Sequence, residues 1–172
     1  MKFLRELISW ILAGVVAFGL AFIISNYLIL NAIIPSGSME PTIFTDDRLI
    51  ASRLTYQFRE PRRFDIIIFR PPHDPDIDYV KRLIGLPGET LWISEGIVYI
   101  DGELLEGANA YIKDAPSGTF GPFVIPDDEF FVLGDNRNNS ADSRMWAYPF
   151  VSRDAIIGHA LFKYYRGFEI LN

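Results

Sequence analysis

The sequence predicts a mainly β fold carried behind one N-terminal transmembrane helix. Three observations lead there. Residues 7–30 hold 24 consecutive positions without a charge. Beyond them, short apolar runs recur with turn residues between, and no long stretch has the 3.6-residue period of an amphipathic helix. With 172 residues, 49% of them hydrophobic, the chain is long enough for one domain with its own core plus a short appendage.

The apolar run comes first. At 1.5 Å per residue it spans about 36 Å, enough to cross a hydrocarbon layer of roughly 30 Å. A core helix of that length would show a polar face, and this one is apolar on nearly every side. A cleaved secretory signal has a shorter apolar stretch closed by a small-x-small site. Here the run continues through Phe22, Ile23 and Ile24 instead. Residues 7–30 are therefore expected to be an uncleaved anchor. Lys2 and Arg5 precede it and Glu40 is the first charge after it, so residues 1–6 are expected in the cytoplasm and residues 31–172 outside. Removing Lys2, Arg5 and Glu6 leaves 14 basic and 21 acidic residues, a net charge of −7 for the exported part.

The strands follow in order. RLIASRL (48–54) alternates in part, DIIIF (65–69) is a β-branched run suited to a strand covered on both faces, and YVKRLIGL (79–86), TLWIS (90–94) and IVYI (97–100) continue the pattern. Asp101-Gly102, between IVYI and ELL, is a two-residue hairpin signal, and Ser94-Glu95-Gly96 is a second tight connection. FFVLG (130–134) and AIIGHALFKYY (155–165) supply later strands. The Gly- and Pro-rich segment around 103–128 is expected to be a surface flap.

Composition excludes several chemistries. Without cysteine there is no disulfide framework, thiolate metal site or Cys nucleophile. The acidic balance argues against nucleic acid as a partner. His73 and His159 are 86 residues apart, one in a proline-rich acidic loop and one in an expected strand, and neither belongs to a metal or nucleophile motif. Asp74, Asp76 and Asp78 alternate like calcium ligands but lack the accompanying Gly and Glu.

Three polar segments remain. In PSGSMEPT (35–42), two prolines and Gly37 hold a shaped backbone carrying two hydroxyls one residue apart; Ser36 and Ser38 fit either a turn or a nucleophile. In DYVKRLIGLPGE (78–89), a strand puts Lys81, one of only four lysines, on a face with Tyr79 and Leu83. Such a lysine is either a snorkelling surface residue or a desolvated amine. In GDNRNNSADSR (134–144), one short polar side chain follows another, and Asp142 with Arg144 can form a bidentate pair that locks the loop.

These three segments, in this order behind an anchor, resemble the three boxes of type I signal peptidases, membrane-bound Ser–Lys proteases that release exported proteins from their signal peptides. The resemblance implies the signal-peptidase/LexA-like β-rich catalytic domain. It implies Ser38 as nucleophile, Lys81 as general base and Ser140 as the hydroxyl orienting the amine. Ser36, with the Ser38 N–H, would form the oxyanion hole, Asp142 and Arg144 would brace the third box, and Ile34, Met39, Tyr79 and Val80 would line pockets for small side chains. It requires no cofactor and no metal. Asn138 sits where some members carry Asp, a non-catalytic position.

The chemistry implied is coherent. A serine hydroxyl needs an adjacent base, and a lysine with a reference pKa near 10.4 serves only where burial lowers it. With only residues 31–33 between the apolar run and Pro-Ser-Gly-Ser, the site is expected at the outer membrane boundary. Preprotein signal peptides would bind there in extended form by adding to a strand edge, alongside the lipid bilayer and the secretion translocon. Trp146, Tyr148 and Phe150 are expected to dip into the interface. The competing reading is a catalytically inert, membrane-tethered peptide-binding module on the same scaffold. Labelling of Ser38 by an acylating inhibitor separates the two.

Overall fold

The computed structural model describes residues 2–74, 76–112 and 114–171. Helix α1 (Lys2–Ile23) runs into a wider turn over Ile24–Leu28 and then directly into strand β1 (Ile29–Ile33). The span Lys2–Leu28 has a mean hydropathy of 2.6, its apolar stretch is not buried against the rest of the chain, and it is long and apolar enough to cross a membrane. The helix stops short of the 7–30 boundary. Leu30 is instead buried in a sheet against Ala51 and Ile68. No charge marks the change, because Ile and Leu suit a membrane helix and a covered strand equally.

The remaining elements are β2 (Arg48–Ser52), α2 (Thr55–Phe58), β3 (Ile66–Phe69), β4 (Tyr79–Gly85), β5 (Thr90–Ser94), β6 (Ile97–Ile100), β7 (Glu103–Leu104), β8 (Phe120–Val124), β9 (Glu129–Leu133), β10 (Val151–Ser152), β11 (Ile156–Lys163) and β12 (Glu169–Ile170). The fold is mainly β, as its sequence pattern predicts. The larger sheet is antiparallel in the order β1-β2-β11-β3-β4-β9-β10, with β12 against β11. The smaller has the order β7-β6-β5-β8.

Strand β3 explains the architecture. Its four residues are all buried, and their alternation sends them to opposite faces. Ile66 joins a cluster with Ile34, Met39, Ile43 and Leu171, while Ile67 and Phe69 join another with Leu83, Phe130 and Val132. A third cluster, with Ile84, Phe131 and Leu133 against Leu91, Ile93 and Val98, fixes the small sheet to the large one.

Two expectations change. Within the expected flap, residues 120–124 pair with β5 and residues 103–104 with β6. The strand FGPFV reads as coil because Gly and Pro interrupt it. The β6–β7 hairpin has the predicted turn, with positive φ at Asp101 (52°) and Gly102 (87°), the geometry of a type I′ connection. Among the three aromatics expected at the interface, Phe150 is buried in the core. Trp146 packs against Phe69, Tyr79 and His73, and only Tyr148 is exposed, donating to Glu129. An aromatic-rich segment satisfies a core as readily as an interface.

Candidate active site

The connection between β1 and β2, residues 34–47, carries the two serines. Its ends are tied by Ile34 N–H to the Asp47 carbonyl (3.0 Å) and Asp46 N–H to the Ile34 carbonyl (2.8 Å). Met39 and Ile43 point into the core and hold it down. Ser38 is left half-buried and Ser36 exposed, with their hydroxyls 3.4 Å apart.

Lys81 comes from β4. Its side chain is buried and its Nζ lies 2.7 Å from Ser38 Oγ and 3.2 Å from the Val80 carbonyl. The Tyr79 ring lies 5.4 Å from Nζ. Burial pushes the amine down to about 8, against the opposing pull of the Asp142 and Asp135 carboxylates. Of the alternatives for Lys81, the structure therefore contains the desolvated amine.

The third segment follows β9 and closes over the serine loop. Asn136 N–H donates to the Ser38 carbonyl (3.1 Å), and its side-chain amide donates to the Gly37 carbonyl (2.9 Å). Asp142 and Arg144 form the bidentate pair foreseen (2.8 and 2.9 Å), and Asp142 also accepts from the Gly134 N–H (3.0 Å). A Cβ on Gly134 would lie 2.4 Å from the Ser38 carbonyl oxygen and 2.2 Å from Ser140 Oγ, so only glycine permits this approach. Ser140 does not make the expected bond to the Lys81 amine. Its Oγ is buried without a hydrogen-bond partner.

A cleft of about 720 Å³ is lined by Ile34, Met39, Tyr79 and Val80 together with Ser38 and Lys81. Two strand edges flank it. Among the described residues β1 pairs only with β2, and β4 pairs with β9 only from Arg82 onward, leaving residues 79–81 open on that side. Neither histidine takes part: His73 packs on Tyr79 and Trp146, and His159 lies beside Tyr56 and 3.6 Å from Asp65. Among the described residues, no group of His, Asp and Glu could hold a metal ion.

Residues 7–165 match the family described as "Signal peptidase, peptidase S26". The chain belongs to this family. Similar proteins include a "Probable signal peptidase I-2" of Synechocystis sp., 39% identical over 91% of this chain and 74% of that protein. A "Signal peptidase I" of Leptolyngbya laminosa is 46% identical over 77% and 66%, and "Signal peptidase I P" of Bacillus subtilis subsp. natto is 34% identical over 88% and 85%. This signal peptidase is a serine endopeptidase, and signal-peptide cleavage is its activity.

The peptidase also uses residues that sequence reasoning did not single out. Asp135 is buried and accepts from Arg82 Nε (2.9 Å), Arg82 Nη2 (2.8 Å) and Thr42 Oγ1 (2.6 Å). It thereby joins all three segments: its own loop, the residue after Lys81, and the serine loop. The signal was available, since Asp135 and Arg82 each lie inside a recognised box. What was missing is the pairing, a contact across 53 positions.

Proposed function

We propose that the peptidase cuts preproteins with a Ser38–Lys81 dyad, after small residues of the Ala-x-Ala type. The observation that carries this reading is the 2.7 Å contact between Lys81 Nζ and Ser38 Oγ, made by an amine whose pKa burial lowers to about 8. With Lys81 neutral, the Ser38 hydroxyl donates to Nζ and passes its proton there as Oγ attacks the scissile carbonyl. The ammonium then returns the proton to the leaving amine, and water repeats the sequence on the acyl-enzyme. The developing oxyanion is held by the Ser38 N–H and the Ser36 hydroxyl, and the exposure of Ser36 leaves it available. Ser140 makes no bond to the amine in this structure, and its buried, unpartnered hydroxyl would take up the orienting role only by turning toward Nζ.

The substrate enters as an extended strand between β1 and residues 79–81, where unpaired backbone groups await it. Ile34 and Met39, nearly inaccessible at 4% and 1%, floor the cleft and admit only small side chains. Because β1 follows the apolar helix directly, this reading sets the site at the outer face of the cell membrane with the N-terminus in the cytoplasm. A signal peptide delivered by the translocon and embedded in the lipid bilayer is presented at that level.

Incubation of the purified protein with a preprotein, read by mass spectrometry, tests the reading. A single cut after an Ala-x-Ala site, absent in Ser38→Ala, is expected; no cut by the wild type overturns it. Ser36→Ala is expected to lower kcat by roughly 10²–10³ with the fold intact, the usual effect of losing one oxyanion donor. An effect equal to that of Ser38→Ala would mean that the two roles are misassigned.

A further inference from the structure

The third box holds the serine loop from one flank. The other flank has a holder that the dyad reading does not use. Lys163, the last residue of β11, extends its largely buried side chain beneath the loop, where Nζ donates to the Thr42 carbonyl at 2.8 Å. The same ammonium pairs with Glu169 of β12 at 2.9 Å and lies 4.0 Å from Asp47 Oδ2. The Phe44 ring lies 5.7 Å from it. Leu171, just past β12, is buried with Ile34, Met39 and Ile43, and its N–H donates to the Leu161 carbonyl (2.9 Å).

Thr42 is thus gripped twice. Its hydroxyl donates to Asp135 of the third segment, and its carbonyl accepts from Lys163. The residue four positions from the nucleophile is clamped between the end of β11 and the loop that follows β9. A charge-assisted bond of this kind is stronger than a neutral one and is directional.

We propose that Lys163, braced by Glu169 of the C-terminal strand, is a positioning residue that fixes the register of the nucleophile loop and so the aim of Ser38 Oγ at the scissile carbonyl. This rests on the assignment of Ser38 as nucleophile. Lys163 acts through Thr42 and touches neither substrate nor the reacting atoms. Its loss lets the loop shift by fractions of an ångström, and near-attack geometry responds steeply to such shifts.

The test uses the full-length protein in detergent micelles with a peptide spanning a preprotein cleavage site, and measures kcat, KM, the pH profile and thermal unfolding. Lys163→Met removes the donor while keeping the apolar stem. Its kcat is expected to fall about ten- to a hundredfold, with KM within about twofold of wild type because the cleft edges remain. Lys163→Arg is expected to restore most of the rate, since a guanidinium can serve both Thr42 and Glu169. The acid limb of the profile should stay where Lys81 sets it. A Lys163→Met protein with wild-type kcat, whatever its melting temperature, overturns the proposal, as does an equal loss in the methionine and arginine variants. Should the methionine variant fail to fold, Glu169→Gln decides: kcat is expected to drop about threefold at an unchanged melting temperature, and an unchanged kcat overturns the clasp. Wild-type rates in Lys163→Met with inactive Ser38→Ala and Lys81→Arg would sink the clasp alone. Activity surviving in Ser38→Ala or Lys81→Arg would sink the dyad beneath it.

Discussion

Lys81→Arg is expected to leave no more than trace cleavage at any accessible pH. Arginine would keep the positive charge and most of the apolar stem, so it separates the need for a cation from the need for a base. A guanidinium is far more basic than an amine and does not shed its proton in proteins. It could donate to Ser38 Oγ, but it could not accept the serine proton. Cleavage of a preprotein by the purified variant, compared with wild type from pH 6 to 10, checks this. Retention of more than trace activity would remove Lys81 from the role of base.

The same lysine sets the pH dependence of the wild type. Burial holds its amine at about 8, so the neutral fraction is about one in a hundred two units lower and rises through that value. The kcat/KM profile should climb from pH 6 with its acid limb centred near 8. Stability responds in the same direction. An unfolded lysine keeps its proton up to its ordinary value near 10.4, whereas the folded one sheds it from about 8. Between those values the unfolded chain binds more protons, so folding becomes more favourable as pH rises. The cost of burying a charged amine is fully present below that window.

Much of this site was readable in the chain because its chemistry is concentrated in short segments. Ser38 and the Asp142–Arg144 pair sit in short polar motifs and Lys81 in a mainly apolar strand, and the three segments meet in the fold. What could not be read depends on long-range pairing. The end of the apolar run is ambiguous because Ile29 and Leu30 satisfy a bilayer and a sheet alike. Strand β8 is hidden by its own Gly121 and Pro122, residues that ordinarily mark coil. Ser140 illustrates a different limit. Its place in the third box is plain in the sequence, but whether its buried hydroxyl finds a partner depends on contacts between segments that no local pattern encodes.

Asp135 shows how one such contact sustains both fold and chemistry, and Asp135→Ala should register in both. The side chain is 1% exposed and the Arg82 it neutralises is 0% exposed. Taking one partner from a buried ion pair typically costs about 3–5 kcal/mol, since the remaining charge keeps its desolvation penalty. For a protein of this size that corresponds to a fall in melting temperature on the order of 10 °C. Arg82 also donates to the Phe64 carbonyl (2.8 Å) and lies 3.6 Å from the Tyr111 ring centre, so the disturbance extends to the contacts beneath the small sheet. The chemical effect has an opposite and separable sign. The Asp135 carboxylate favours the protonated form of Lys81, so its removal should move the acid limb of the pH profile to lower pH even as kcat falls with the loosened Thr42. Asp135→Asn keeps the shape and a hydrogen-bond acceptor but drops the charge. It should shift the acid limb the same way with a smaller loss of stability. A variant that melts like wild type would show that the Arg82–Asp135 pair contributes little to stability. One that melts early with an unmoved acid limb would show that the field at Lys81 comes from Asp142, leaving Asp135 a purely structural joint between the three segments.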